Sequence, residues 1–372
     1  MKRIKKVVKI KYYIIVFLIE IITLILLALL IYNSLTTSLK QNTFYLSSSD
    51  PQTLLDTLNK HGYKTYAIDN LLLKFITMPK KGWYHINQTE GRISFFHNLH
   101  KKSAPTMQVE IFAGETSLEL TKRLANDMKL DHHTLLKAYR SQSIFKEANI
   151  IAGRYVVARQ ADENTTIEYL LSTSTALLKR FSQKYCNKEL SPLELKVLLI
   201  IASIIQKESN RVEEMPLISS VIYNRLNKHM RLQMDGTLNY GKYAHTIVTP
   251  ERIKTDTSYF NTYKYKGIPP VPLSTVSIDA LKAAYSPKQS NYFFFMLTKD
   301  GSHIFSNDYK THLVNVRAFK KHLKEHNLTI AESNLRDNNT TIITKEANST
   351  IILKEKNSPT PSKPKKLHKV QN

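Results

Sequence analysis

SPLELKVLLIIASIIQKESN, residues 191–210, is the stretch on which the reading of this chain turns. Ser191-Pro192-Leu193-Glu194 has the form of a capping box: an N-cap Ser, Pro at the first helical position and Glu at the third. This predicts a helix from Leu195 to about Lys207. Val197, Leu198, Leu199, Ile200, Ile201, Ala202, Ile204 and Ile205 leave almost no polar face, so the helix should be buried in its domain. It runs out in Gln206-Lys207-Glu208-Ser209-Asn210.

Downstream, a second helix should start near Pro216 and reach Leu226 through Val221 and Ile222. Met230 to Pro272 is loop-like and rich in Tyr, Asn, Thr and Pro. Tyr292–Leu297 reads as an apolar strand, Asp300-Gly301 as a hairpin turn and Ile304-Phe305 as the return strand. Residues 311–324 predict a last amphipathic helix. Beyond about Leu328 the chain turns polar, with Thr341–Ser349 echoed by Thr350–Ser358 before a Pro/Lys-rich end; this reads as a low-complexity, disordered tail.

Upstream, residues 40–105 read as strand, helix, strand. Phe44-Tyr45-Leu46 is a short apolar run, Asp50-Pro51 opens a helix carrying Leu54, Leu55 and Leu58, and Gly82-Trp83-Tyr84 follows. Residues 107–172 repeat the order: Val109–Phe112, then Leu118, Leu120 and Leu124, then Gly153-Arg154-Tyr155-Val156. Two small copies of an α+β module and one irregular α+β domain both fit this order.

Tyr12 to Tyr32 is apolar except for Glu20. At about 1.5 Å per residue such a run makes roughly 31 Å of helix, matching a hydrocarbon core of about 30 Å. It is too long for a signal peptide and has no small-residue cleavage site; a buried core helix is the competing reading. Six basic residues and no acid in the first 11 positions place the N-terminus in the cytoplasm if the run spans a membrane. The formal net charge of +24 is then largely external and suits anionic lipid or an acidic polymer better than nucleic acid. Cys186 is the single cysteine, so there is no intrachain disulfide.

Glu208 is the residue whose placement suggests chemistry. It lies three positions after Ile205, which continues the stripe Leu195, Leu198, Ala202. A carboxyl at the end of a buried stripe loses water, which disfavours its anion and raises its pKa. A protonated acid near neutral pH is what glycosidic cleavage needs at the leaving oxygen. A carboxylate that merely ends a helix and pairs with Arg211 or Lys207 is the alternative. Glu213 and Glu214, in the following loop, read as solvated. Scattered His residues without H-E-x-x-H or a Cys cluster argue against a metal, and the absence of G-x-S-x-G or a phosphate-binding Gly loop argues against those chemistries.

Residues 202–305 resemble the catalytic domain of the endolytic murein transglycosylases of the MltG (YceG-like) family. The resemblance is carried by Ala202–Glu208, Val221–Leu226, Met230–Thr237, Tyr240-Gly241, Phe260–Tyr263, Gly267–Pro270, His303–Phe305 and His312, in that order. Gln206 stands where the family often has Glu, Gly236 where it has Pro in Asp-Pro-Thr, and Val276-Ser277 where it has Pro-Gly.

The resemblance implies an α+β chain: a basic cytoplasmic segment (1–11), a transmembrane helix (12–32), a membrane-proximal α+β module (33–105), a LysM-like module (106–180), a transglycosylase domain (181–325) and a tail (326–372). It implies cleavage of the MurNAc-β-1,4-GlcNAc bond with 1,6-anhydro ends, by Glu208 alone and without cofactor or metal. It also implies a bacterial inner-membrane location and partners among the peptidoglycan synthases and the elongation and division proteins. Asn224, Arg225, Gln233, Asp235, Thr237, Tyr240, Asn261, Thr262, Tyr263, Pro269, Pro270 and His303 are the expected substrate-binding residues, with Tyr259 a further ring for a sugar face. A hydrolytic muramidase using Asp235 as second carboxylate and a non-catalytic wall-binding scaffold are the rival readings.

Overall fold

The computed structural model describes residues 2–35, 41–86 and 90–321; the expected tail lies outside them. The architecture is mixed α+β, with three two-stranded sheets among helices. The chain divides into two units: residues 1–110, 121–142 and 154–173 form one, and residues 111–120, 143–153 and 174–372 the other.

The first unit begins with α1 (Lys2–Ser34), of which Lys9–Ser34 is long and apolar enough to cross a membrane; its Leu, Ile and Phe side chains are exposed along nearly the whole run. Then come β1 (Thr43–Leu46), α2 (Pro51–Lys60), α3 (Ala67–Leu73) and β2 (Gly82–His85), with β1 and β2 antiparallel, Phe44 opposite Tyr84. Asp50 caps α2 by accepting from the Thr53 N–H at 2.8 Å, and Pro51 supplies the first helical residue. α4 (Arg92–Asn98) completes a core of Phe44, Leu46, Leu54, Leu58, Phe95 and Phe96. The same order then recurs as β3 (Thr106–Ile111), α5 (Ser117–Met128), α6 (His132–Gln142) and β4 (Gly153–Ala158), with β3 beside β4, followed by α7 (Glu163–Phe181). The Gly-aromatic segments noticed in the sequence are the two closing strands. In β2 the Trp83 indole donates to the Val156 carbonyl of β4 at 2.7 Å and packs on Tyr169.

The last turn of the apolar run is packed against the rest of its unit. Tyr32 is buried, and its hydroxyl donates to Asp69 Oδ1 at 2.5 Å. Arg92, fully buried, donates to both Asp69 oxygens, to the Lys64 carbonyl at 2.7 Å and to the Leu35 carbonyl at 3.2 Å. Asn33 accepts from the Ile93 N–H at 3.0 Å. The guanidinium is also enclosed by the rings of Tyr63 and Tyr66, at 4.8 and 4.6 Å. A buried ion pair survives only when its remaining donors are satisfied, and here the helix end supplies part of that satisfaction.

In the second unit, α8 (Pro192–Glu208) is the central helix and packs against α9 (Met215–Asn227) and α11 (Ile278–Tyr285). Both halves of its capping box form: the Ser191 hydroxyl accepts from the Glu194 N–H at 3.3 Å and Glu194 accepts from the Ser191 N–H at 2.8 Å. Leu198 through Gln206 are all buried, as the apolar circumference predicts. Each fully buried Leu or Ile contributes roughly 1.5–3 kcal/mol of transfer free energy. Within the expected loop region lies α10 (Pro250–Thr255), preceded by a short 3-10 turn, Asp235–Leu238. β5 (Phe294–Leu297) and β6 (His303–Ser306) form the expected hairpin around Gly301, and a helix runs from residue 309 to the end of the described chain at 321.

Arg92→Met should cost about 3–5 kcal/mol, because Asp69 is left as an uncompensated buried charge. The double variant with Asp69→Asn should recover much of that loss. Urea unfolding of the full chain in detergent checks both.

Candidate active site

Glu208 is the last residue of α8, so the helix that is buried along its length delivers a carboxyl to the edge of the core. Its Oε1 accepts the Gly236 N–H at 3.0 Å. Gly236 is held there because it is a glycine in a close approach, not because of its backbone angles. A Cβ on it would stand 2.7 Å from Lys207 Cβ and 2.9 Å from Glu208 Oε1. The Glu208 pKa is pushed up to about 8, chiefly by burial and next by the charge of Asp235, with the Gly236 hydrogen bond and Arg225 opposing. At neutral pH this side chain is therefore mostly a proton-carrying acid.

The alternative reading of Glu208, a helix-end carboxylate paired with Lys207 or Arg211, is not what forms. Lys207 Nζ donates to the Gly114 carbonyl at 2.7 Å, and Arg211 pairs with Glu213 at 3.1 Å and Glu214 at 3.5 Å.

Around the acid, Asp235 Oδ1 accepts the Tyr263 hydroxyl at 2.5 Å. Burial, then the Asp235 charge, drives the Tyr263 phenol far above its ordinary value, so it stays a donor. Gln233 sits at φ +51°, a left-handed conformation unusual for a side-chain-bearing residue, and its N–H donates to the Thr262 carbonyl at 3.1 Å. Among the described residues its side-chain amide has no partner, which leaves it available to a ligand.

Other expected binding residues are spent inside the protein. Asn224 donates to the Ser290 and Tyr292 carbonyls at 2.8 and 2.9 Å. Arg225 is buried and clamps the Phe293 carbonyl at 2.6 Å and that of Leu232; burial pushes its pKa down to about 10. Asn261 is fully buried, donating to the Ile253 and Asp256 carbonyls, both at 2.8 Å. Thr237 and Thr262 are buried and hydrogen-bonded to each other at 2.9 Å. These residues hold the segments 230–238, 253–256 and 290–293 instead of facing outward. Tyr240 has one face against Phe260 at 3.7 Å, and the strongly exposed Tyr259 lies 4.8 Å from Tyr265. Pro269 is buried and Pro270 exposed.

His303 is nearly buried and bound by Glu214, whose oxygens take its Nδ1 at 2.6 Å and its backbone N–H at 3.0 Å. This corrects the reading of Glu214 as solvated: it is buried at the start of α9 and ties β6 to the turn after Glu208. Its partner lies 89 positions away, so no local signal in the sequence marked it. Another buried acid, Glu147, was not singled out in the sequence either. It accepts the Ser117 N–H at 2.6 Å and hydroxyl at 2.8 Å, and burial pushes its pKa to about 7. No group of three or more His, Cys, Asp or Glu that could hold a metal occurs among the described residues.

The YceG-like family model matches residues 44–318, well over half of the chain. The chain belongs to the YceG-like family. Among similar proteins is the endolytic murein transglycosylase of Streptococcus pneumoniae D39, 34% identical over 161 residues, covering 41% of this chain and 29% of that protein. The endolytic murein transglycosylase of Bacillus subtilis 168 is 29% identical over 154 residues, covering 41% of this chain and 42% of its own. The match therefore spans less than half the length of either of these YceG-like relatives. A crystal structure of a yceG-like protein from Listeria monocytogenes aligns with 74% of this chain and 99% of its own, at 23% identity and a TM-score of 0.47.

Asp235→Asn should lower the pKa of Glu208 by removing the neighbouring charge, while leaving it above the ordinary glutamate value of about 4.3 because burial is the larger cause. A 13C titration of the Glu carboxyls, with the Glu208 signal assigned by its loss in Glu208→Gln, reads this directly.

Proposed function

We propose that this protein is a membrane-anchored endolytic lytic transglycosylase of peptidoglycan, cutting the MurNAc-β-1,4-GlcNAc bond and leaving a 1,6-anhydro-MurNAc end. The observation that carries the reading is Glu208: a single carboxyl held protonated near neutral pH at the end of a buried helix, with a backbone donor on its Oε1. The names of the relatives support the substrate.

In the first step Glu208 gives its proton to the glycosidic oxygen as the C1–O bond breaks and the GlcNAc side leaves as an alcohol. In the second, the Glu208 carboxylate, steadied by the Gly236 N–H, takes the proton from the C6 hydroxyl of the same MurNAc. O6 then bonds to C1, and Glu208 ends protonated, as it began. No water is consumed, so a second catalytic carboxylate is not required, unlike in hydrolytic glycosidases. Asp235, fixed by Tyr263, sits where its charge raises the Glu208 pKa and favours positive charge developing at C1. Gln233 is the expected residue best placed to meet substrate with an unspent amide. The hydrolytic alternative would use Asp235 to activate water.

α1 is read here as a single-pass anchor with its N-terminus in the cytoplasm and the catalytic unit outside, close to newly made glycan and its synthases. The burial of Tyr32 on Asp69 refines how a soluble form should be cut. One that begins a turn before Tyr32 should be more stable than one that begins at Ser34, by thermal unfolding of the two.

Glu208→Gln should lower release of anhydro-muropeptides from purified sacculi by at least about a hundredfold, read by mass spectrometry of the digests. Full activity in Glu208→Gln would overturn the mechanism. Because protonated Glu208 is the starting state, the wild-type rate should fall as pH rises past about 8.

A further inference from the structure

The surface of α3 is divided three ways. Asp69 and Leu73 point inward and are buried. Asn70 and Lys74 are exposed and polar. Ile68, Leu71 and Phe75 are apolar, yet 44, 55 and 80% exposed. The Lys74 and Phe75 N–H groups donate to the Leu71 and Leu72 carbonyls at 3.2 and 3.0 Å, so one more tight turn extends the helix and carries Phe75 onto it. At roughly 100° per residue, positions 68, 71 and 75 fall on one edge of the helix and positions 70 and 74 on the other. Single exposed apolar side chains are ordinary, but three gathered on one edge and ending in a bare Phe form a patch.

The place of this edge in the fold says what covers it. Asp69, the neighbour of Ile68, accepts the Tyr32 hydroxyl, and Arg92 links the same carboxylate to the Leu35 carbonyl just past the end of α1. α3 is therefore fastened directly to the last turn of the apolar run. Counted from Tyr12 at about 1.5 Å per residue, a hydrocarbon core of about 30 Å ends at Ile31 or Tyr32. That holds α3 at the depth where acyl chains give way to headgroups. The charge around it agrees. Lys64, Lys74, Lys80 and Lys81 are exposed, whereas Asp69, the only acid between residues 60 and 82, is buried and neutralised by Arg92. An apolar edge with lysines beside it is the pattern of a helix lying in a membrane interface. Three side chains are also too few for a stable protein interface, which takes about 800 Å² from each partner.

We propose that the Ile68–Leu71–Phe75 edge of α3 lies in the interface of the bilayer from which α1 emerges, with Phe75 among the uppermost acyl carbons and the neighbouring lysines at lipid phosphates. This rests on reading α1 as a membrane anchor. The first unit would then lean on the bilayer at a second point beside the span.

The test places a nitroxide label on Phe75→Cys, Asn70→Cys or Leu24→Cys in the full chain, reconstituted in vesicles of equal parts phosphatidylcholine and phosphatidylglycerol. All three positions are exposed, so the core is untouched, and Leu24 lies midway along the apolar run. Cys186 is buried, and the unsubstituted chain is the labelling control. Electron paramagnetic resonance compares collisions with oxygen, which concentrates in lipid, and with a nickel chelate, which stays in water. The oxygen-to-nickel ratio at position 75 should be several-fold above that at position 70 and approach that at position 24. Equal ratios at 75 and 70, with position 24 deep in lipid, would overturn the surface contact and leave the anchor standing. Shielding of position 75 from both reagents would overturn it as well, in favour of a contact with protein such as a second copy. A water-like ratio at position 24 would sink the anchor reading itself.

Discussion

A carboxyl carried to the end of a helix that is buried along most of its length is the constraint around which the second unit is arranged. From Leu198 to Gln206 no residue of α8 faces water. The position of Glu208 is therefore fixed by core packing, and its proton affinity follows from that position. The surrounding loops are built to meet it. Asp235–Leu238 comes so close that a Cβ at 236 would crowd Lys207 Cβ at 2.7 Å, and Arg225, Asn224, Asn261 and Thr262 hold the neighbouring segments by hydrogen bonds. A polar network of this kind, largely satisfied from within, specifies one arrangement of the loops around the acid.

Much of this was legible in residue order. The capping box at Ser191, the apolar circumference of α8, the hairpin at Asp300-Gly301 and the doubled strand–helix–strand pattern are local signals, and local physics realises them. Glu208 was legible as well, because its spacing from Ile205 already placed it at the edge of a buried stripe. What could not be read was partner choice across long chain separations. Asn224 and Arg225 were expected to bind substrate, but they are consumed by the carbonyls of residues 290–293, more than sixty positions later. Glu214 looked solvated because its partner, His303, is 89 positions away. Gly236 read only as a departure from a motif, and the close approach of Lys207 and Glu208 to it is visible only in three dimensions.

The other unit has its own organising contact. Tyr32 and Asn33, at the end of the apolar helix, complete the surroundings of the buried Arg92–Asp69 pair. Such a pair is costly to desolvate and tolerable only when its spare donors are occupied. The apolar helix is consequently packed into the folded module at its last turn. In the proposed setting this fixes the start of the module relative to the bilayer.

The central claim is that one carboxyl performs both proton transfers and that water takes no part. Digestion of purified sacculi in H2(18)O tests this most directly, by mass spectrometry of the MurNAc ends. The account expects anhydro ends carrying no 18O. Reducing MurNAc ends labelled with 18O from the earliest time points would contradict it and point instead to hydrolysis assisted by Asp235.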